Sequence, residues 1–202
     1  MTRYPTYLFI GSPGSGKGTQ GKVLGTVPRF FHCACGDVFR ALDSRSEIGQ
    51  KFIEYSSRGL LVPDDLTVEL WRTRIEARVQ AGDFKPDIDA LVLDGIPRNI
   101  GQATIMDGLI EVKQVFHLSC PNREELVRRL RKRALKDNRL DDANEEVIRK
   151  RLATYEEETK PVLEHYKNVV TIVDALQPPV KVLQDILGVI WASRNGTMAF
   201  NA

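Results

Sequence analysis

The glycine-rich stretch GSPGSGKGT, from Gly11 to Thr19, constrains the fold of this chain more than any other segment. The short apolar run over residues 7–10 precedes it and indicates a buried strand, and the start of a helix follows it. Glycines let the backbone turn so that successive N–H groups point into one concavity, and a helix N-terminus adds free N–H groups and partial positive charge. Strand, glycine loop and helix in this order predict a phosphate-binding loop.

The lysine of this loop, Lys17, is suited to supply a cation for the β- and γ-phosphates of a nucleotide. The general pattern G-x-x-x-x-G-K-[ST] is satisfied from Gly11 to Lys17, but Gly18 follows the lysine and Thr19 comes one position later. The alternative is a glycine-rich turn that carries a solvated lysine. Because the glycines and the lysine stand in register directly after a strand, we favour the phosphate site.

Composition and charge exclude several classes of protein. The chain has 202 residues, of which 42% are apolar, and this predicts a folded protein with one sizeable core. Its net charge of +2 is too small to indicate nucleic-acid or membrane binding by itself. The sequence contains no run approaching the roughly 20 apolar residues that span a bilayer, and its first residues do not resemble a signal peptide. We expect a cytoplasmic protein that binds neither nucleic acid nor membrane.

The cysteines Cys33, Cys35 and Cys120 are odd in number and lack the paired spacing of a metal site. Reduced thiols are the simplest interpretation, and they agree with a cytoplasmic location.

Five short apolar runs without polar alternation predict strands of a parallel sheet that is covered on both faces. They are residues 7–10, 29–33, 90–93, 114–118 and 169–173. Helical patterns lie between them. This alternation predicts an α/β fold with a doubly wound, five-stranded parallel sheet, in which ligands bind outside the carboxyl ends of the strands.

Charged side chains follow the second and third predicted strands, where a ligand is expected. Arg40 comes shortly after the second strand, and Asp94 and Arg98 come directly after the third. Asp94 has the position of a carboxylate that orients Mg²⁺, often through water, although a helix cap or a turn is the alternative. Two arginines near a phosphate loop suggest a second anionic substrate.

A basic stretch follows the fourth predicted strand. Arg129 and Arg133 share one face of a helix predicted over residues 122–136, and Arg139 and Arg151 lie beyond a break in that helix. A solvated basic face or an RNA-binding patch are the alternatives. In a chain with a phosphate loop, we favour a group of arginines that closes on phosphates.

Capping residues and a turn predict three further helix starts. Ser46 precedes one helix in the region between the second and third strands, and the turn over residues 59–64 precedes another. After the basic stretch, Asp142 or Asn144 is expected to cap the next helix. A small helical excursion from the sheet is therefore predicted between the second and third strands.

Four motifs, in this order, resemble those of the nucleoside monophosphate kinases, and most of all the adenylate kinase family. They are GSPGSGKGTQ at 11–20, GDVFR at 36–40, DGIPR at 94–98 and RLDD at 139–142, with further matches at 149–152 and 159–161. The resemblance covers about residues 6–190, and the glycine after the loop lysine is the form that this family uses. It implies a P-loop core with a small helical monophosphate-binding insertion and a short lid.

The resemblance also implies a domain division. A single kinase domain is expected over residues 1–192, and a flexible tail over 193–202. Within the domain, the core is expected at 1–33, 64–133 and 139–192, the insertion at 34–63 and the lid at 134–138. Zinc, which long lids of some relatives hold, is not expected in so short a lid.

The resemblance assigns most of the motif residues to two nucleotide sites. For ATP it implies Gly14, Ser15, Gly16, Lys17, Gly18, Thr19, Arg129, Arg133 and Gln177. For the monophosphate it implies Cys35, Arg40, Leu61, Val62, Gly95, Arg98, Gln102, Arg139 and Arg151. Catalysis is expected from Lys17, Arg98, Arg133, Arg139 and Arg151, with Mg²⁺ at Asp94 through water.

Three positions bear on the identity of the acceptor base. Gln102 matches the glutamine that reads the adenine edge of AMP, where pyrimidine-specific relatives usually have asparagine. Asn99, however, is common in those relatives, and Cys35 stands where adenylate kinases usually have threonine. The resemblance thus implies a monomer that acts on ATP and AMP. A UMP/CMP kinase on the same fold is the main alternative, and a nucleotide-binding module without catalysis is the second.

The implied reaction is in-line transfer of the γ-phosphoryl group of Mg-ATP to an oxygen of the monophosphate, giving two ADP. That oxygen is already ionised, so positioning and charge neutralisation suffice without a general base. This agrees with a sequence that has many arginines but no histidine placed beside a nucleophile.

Overall fold

Five parallel strands form the central sheet. They are β1 (Tyr4–Ile10), β2 (Phe30–Ala34), β3 (Ala90–Asp94), β4 (Ile110–Ser119) and β5 (Val170–Asp174). Their order across the sheet is β2-β3-β1-β4-β5. The structure is a computed structural model, and it describes residues 3–137, 139 and 142–195. All five predicted strands are present, and their parallel pairing confirms the doubly wound α/β fold.

Helices connect the strands. In the described part of the chain they are α1 (Lys17–Leu24), α2 (Cys35–Arg40), α3 (Glu47–Ser57), α4 (Asp64–Gln80), α5 (Ile100–Met106), α6 (Arg123–Asp137), α7 (Glu145–Thr154), α8 (Val162–His165) and α9 (Pro179–Asn195). A π-helical segment, Tyr155–Thr159, continues α7, and a 3₁₀ turn, Lys167–Val169, leads into β5.

The sheet is buried on both faces. Side chains of a strand alternate between its faces, so Leu8 and Ile10 of β1 pack with Trp71 in one apolar cluster. Tyr7 and Phe9 belong to a second cluster. Because both faces are covered, the strands appear in the sequence as continuous apolar runs, and this made them predictable.

Four of the described helices, α3, α5, α6 and α7, begin after side chains that accept hydrogen bonds from the first turn, which satisfies N–H groups that have no partner within the helix. Ser46 accepts from the N–H of Gly49, and Asn99 accepts from that of Gln102. Asn144 caps α7. The predicted helix start at Ser46 is therefore confirmed, and Asn144 rather than Asp142 is the cap of α7.

Two helix ends overlap segments of the predicted domain division. Helix α6 ends at Asp137, one residue beyond the helix predicted over 122–136, so residues 134–137 of the predicted lid form its last turn. Helix α9 includes residues 193–195, which were predicted as tail. Residue 138 and the rest of the tail, 196–202, lie outside the described residues. Among the helices that the structure describes, none is long and apolar enough to cross a membrane.

Candidate active site

The loop between β1 and α1 depends on glycines for its shape. Gly14 and Gly16 have φ angles of 85° and 100°, in the left-handed region that favours glycine. A Cβ atom on Gly11 would lie 2.6 Å from the carbonyl oxygen of Leu118 in β4. The loop therefore packs tightly on the sheet, and the first N–H groups of α1 open towards the cleft above it.

Lys17 folds back over this loop. Its Nζ donates to the carbonyl oxygens of Gly11 at 2.7 Å and Ser12 at 3.1 Å. Burial lowers the pKa of Lys17 to about 8, and the nearby Asp94 carboxylate partly opposes this effect. A Cβ atom on Gly18 would come within 3.3 Å of Asp94 Oδ2. That contact is a physical reason for glycine at a position where the general loop pattern has serine or threonine.

A cleft of about 1060 Å³ lies at the carboxyl ends of the strands. Its walls contain every residue that the sequence analysis assigned to ATP, to the monophosphate or to Mg²⁺. Residues separated by more than 100 positions along the chain, such as Gly14 and Arg151, thus lie in one site. The structure brings the predicted set together, and the roles of its members stay predictions.

Two of the cleft arginines share one carboxylate. Asp142 is fully buried, and its Oδ2 accepts a hydrogen bond from Arg133 Nε at 2.7 Å. Nη1 of Arg151 contacts the other oxygen, Oδ1. Asp142 thus holds two guanidinium groups that approach from different helices. In the sequence, Asp142 was a candidate helix cap and the last residue of the RLDD motif, and its spacing did not reveal which cations surround its carboxylate.

The other arginines that were predicted for the monophosphate site also contact groups of the protein. Arg98 Nε donates to the carbonyl oxygen of Gly95 at 2.8 Å. Arg40 donates to Asp37 Oδ1 at 2.6 Å, and Nη2 of Arg139 lies 3.5 Å from the same oxygen. These contacts preset the guanidinium positions, so less conformational entropy is lost when an anion binds.

Arg129, which was predicted for the ATP site, is held in place by two hydrogen-bond partners. Its Nε donates to Glu125 at 2.7 Å, and its Nη1 donates to the carbonyl oxygen of Ala175 at 2.8 Å. Hydrogen bonds from Arg128 and Arg129 lower the pKa of Glu125 to about 2. Arg129 thereby joins α6 to the loop before α9, which also carries the predicted ATP contact Gln177.

The amide of Asn99 makes hydrogen bonds within the protein at both ends. Its Oδ1 accepts from the backbone N–H of Gln102, and its Nδ2 donates to Asp64 Oδ1, both at 2.8 Å. Asn99 therefore caps α5 and binds α4, which accounts for its presence without a contact to a pyrimidine base. Cys35 lines the cleft, and burial raises the pKa of its thiol to about 11, so it is neutral at physiological pH.

The end of α7 contacts three other parts of the chain. These contacts were not predicted from the sequence. Thr154 Oγ1 hydrogen-bonds to the carbonyl oxygen of Gly59 at 3.2 Å. Nε2 of His117 in β4 lies 3.1 Å from Tyr155 Oη. Arg151, on the preceding turn, contacts Asp142. The helix that carries Arg151 is thus tied to the sheet, to the loop before α4 and to the segment after α6.

Few of the described side chains in the site are placed to bind a metal ion. In the described ranges, no three histidine, cysteine, aspartate or glutamate side chains are grouped so as to hold an ion. The carboxylate of Asp94 lies beside the phosphate loop at the end of β3. Such an arrangement fits Mg²⁺ that arrives on the phosphates and keeps several waters.

Comparison with known proteins agrees with this geometry. The family model described as adenylate kinase matches residues 9–171. An adenylate kinase of Thermobifida fusca is 38% identical over 186 residues, which cover 88% of this chain and 93% of the relative. One from a Cyanothece species is 36% identical over 192 residues, 91% of this chain and 93% of the relative. One from Thermus thermophilus is 37% identical over 183 residues, 87% of this chain and 91% of the relative.

A P-loop sheet whose cleft faces a phosphate loop with several fixed arginines is the architecture of a nucleoside monophosphate kinase. Within that class, the family model and the relatives both indicate adenylate kinase, and both match most of the length of the chain. The chain belongs to the adenylate kinase family.

Proposed function

We propose that this protein catalyses the reversible transfer of the γ-phosphoryl group from Mg-ATP to AMP, giving two ADP. The observation that carries the proposal is the single cleft in which the phosphate loop and the arginines lie together. One site with an anion cradle and several fixed guanidinium groups suits two nucleotides that meet phosphate to phosphate.

The donor phosphates are held by the loop. Backbone N–H groups at Gly14–Thr19 bind the phosphate oxygens, and Lys17 exchanges its contacts with the carbonyl oxygens of Gly11 and Ser12 for the β- and γ-phosphates. The partly desolvated ammonium strengthens this attraction because the local dielectric constant is low. Arg129 and Gln177 contribute to the wall against the donor nucleoside.

The acceptor phosphate is oriented by arginines. Arg98 and Arg40 bind the monophosphate, and Arg139 and Arg151 neutralise charge on the group in transfer. Arg133 acts from the donor side. No proton has to be removed from the acceptor oxygen, so alignment and electrostatic stabilisation account for the rate.

We infer that Mg²⁺ accompanies ATP and is positioned by Asp94 through water. Bound there, the ion would neutralise charge on the β- and γ-phosphate oxygens. The short distance between Asp94 and the phosphate loop at Gly18 supports this position.

AMP is the acceptor that we infer. Gln102 lines the cleft with an amide suited to the adenine edge, and the hydrogen bonds of Asn99 to Gln102 and Asp64 give that residue a structural role that needs no pyrimidine base. The fixed arginines also disfavour a module that binds ATP without transfer. The division into core, insertion 34–63 and lid 134–138, the monomeric state and the cytoplasmic location stay predictions.

Initial rates with AMP, UMP, CMP and GMP, each with Mg-ATP, test the proposal. We expect AMP to give the highest kcat/KM, and a folded enzyme that forms no diphosphate from AMP would overturn it. Lys17→Met and Arg98→Ala should each lower kcat by about 100-fold or more while the protein stays folded. Arg72→Ala is the matched control, because this arginine pairs with Glu76 on the exposed face of α4.

A further inference from the structure

Asp64, the first residue of α4, is the centre of a hydrogen-bond network that joins α4 to α5. Its Oδ1 accepts from Asn99 Nδ2 at 2.8 Å and from Gln102 Nε2 at 2.9 Å. A Cβ atom on Gly101 would lie 2.7 Å from Asp64 Oδ2. Glycine at this position therefore leaves room for the carboxylate beside the first turn of α5.

This network fixes the orientation of the Gln102 side-chain amide. Its Oε1 accepts from the backbone N–H of Arg98 at 2.8 Å. A backbone N–H can only donate and a carboxylate can only accept, so the oxygen faces Arg98 and the NH₂ group faces Asp64. Turning the amide by 180° would set donor against donor and acceptor against acceptor. Gln102 is only 1% exposed, so little water is available to repair both mismatches.

The held amide keeps one N–H and one oxygen lone pair for a ligand. Adenine presents an amino donor at position 6 and an acceptor at N1. Hypoxanthine and guanine present an oxygen acceptor at position 6 and an N1–H donor, which is the reverse order. An amide that matches one of these edges must turn over to match the other in the same pose.

We propose that Asp64 is a positioning residue that sets the specificity for the acceptor base. It locks the Gln102 amide in the orientation that pairs with 6-amino purines, and so penalises 6-oxo purines. The proposal rests on the assignment of Gln102 to the monophosphate site under the proposed function. Asp64 acts through Gln102 and does not itself touch the nucleotide.

The test compares AMP with IMP, which differ at position 6 and in the protonation of N1. Asp64→Asn keeps the size of the side chain, but its amide either donates or accepts, so a turned Gln102 finds a partner at position 64 and only the mismatch with the Arg98 N–H remains. With saturating Mg-ATP, we expect the ratio of kcat/KM for AMP to that for IMP to fall about tenfold. The change should lie mainly in the KM for the monophosphate, with the KM for ATP unchanged.

Asp65→Asn is the matched control, because Asp65 is the neighbouring exposed carboxylate in the first turn of α4. It removes the same charge from the same helix end and should leave the AMP/IMP ratio unchanged. A second variant, Gly101→Ala, keeps the charge of Asp64 but displaces its carboxylate, and should lower the ratio in the same direction. Equilibrium titrations of AMP and IMP without ATP provide a readout independent of turnover.

The outcomes separate the two proposals. Wild-type enzyme that does not phosphorylate AMP would overturn the proposed function and the specificity role together. Wild-type enzyme that is active with AMP, with an unchanged AMP/IMP ratio in both Asp64→Asn and Gly101→Ala, would overturn the specificity role alone. Equal losses for AMP and IMP, accompanied by a lower melting temperature, would make Asp64 merely structural and would also overturn it.

Discussion

His117 and Tyr155 join the central sheet to the helix that carries Arg151, through a 3.1 Å contact between His117 Nε2 and Tyr155 Oη. Burial holds the pKa of His117 below its usual value of 6.5, and the nearby Lys160 and Lys17 act in the same direction, whereas Glu156 opposes them. The folded protein therefore favours the neutral imidazole at this position.

We predict an acid-sensitive stability that depends on His117. Below pH 6.5 the unfolded chain takes up a proton on this side chain that the folded chain resists, so the free energy of unfolding falls as the pH falls. Urea unfolding at pH 7.5, 6.5 and 5.5 should show a smaller loss in His117→Asn than in the wild type. Some loss should persist, because burial also lowers the pKa of His32. Identical pH dependence in both proteins would contradict the prediction.

Lys17 should limit activity at alkaline pH. Its pKa of about 8 in the free enzyme means that the ammonium charge is lost above that pH, and kcat/KM for ATP should then decline. In the complex, the phosphates favour the charged form, so the decline of kcat should move to higher pH. In Lys17→Arg, which stays charged, the decline near pH 8 should disappear even though the rate is lower. An unchanged alkaline limb in this variant would exclude Lys17 as its source.

Asp142→Asn should affect both stability and turnover. The buried carboxylate balances Arg133 and Arg151, and an amide balances neither charge. Both arginines are partly exposed and regain some hydration, so we expect a loss of about 1–3 kcal/mol in the free energy of unfolding. kcat should fall about tenfold or more as the guanidinium groups lose their alignment. The measurements are urea unfolding and steady-state kinetics.

Asp83→Asn is the control for this variant. Asp83 also pairs with an arginine, Arg78, but that pair is half-exposed and lies outside the cleft. Exposed ion pairs contribute about 0–1 kcal/mol, so this change should be small and kcat should be retained. Equal effects in the two variants would show that Asp142 has no special role.

Two glycine substitutions should change stability in opposite directions. Gly188 is exposed within α9 and an added Cβ there meets nothing within 4 Å, so Gly188→Ala should stabilise the protein by about 0.5–1 kcal/mol. In Gly11→Ala the new methyl group would meet the Leu118 carbonyl oxygen, and stability should fall by about 1–3 kcal/mol together with ATP affinity. Chemical denaturation measures the stability of the two variants, and ATP titration measures the affinity of Gly11→Ala for ATP. The reverse order of stabilities would refute the packing argument.

Local patterns in the sequence were sufficient for the strands and the phosphate loop. β1 and β3 are apolar runs because both faces of the sheet are covered, and the loop consists of adjacent residues whose conformation depends mainly on glycine. The partners of buried polar groups were not predictable in this way. Asp142 and Asn144 are both good helix caps, and only the folded chain shows which one lies beside two guanidinium groups.

The same limit applies to contacts between distant segments. Asp64 and Gln102 are 38 residues apart, as are His117 and Tyr155. Periodicity and capping rules describe neighbours along the chain and carry no information on such pairs. The sequence therefore indicated which residues line the cleft through family motifs, but not which residues hold them in place.

The contact between Thr154 and Gly59 has a thermodynamic consequence. A Cβ atom on Gly59 would lie 3.1 Å from Cγ of Arg151, so the loop that leads into α4 rests directly on the arginine-bearing helix. If AMP draws this loop inward, it shifts Arg151 as well, and titration of a non-hydrolysable ATP analogue at rising AMP concentrations would detect an altered Kd. Linkage then requires the analogue to change the affinity for AMP by an equal factor. The two nucleotides would thus bind cooperatively through the hydrogen bond between Thr154 and the Gly59 carbonyl.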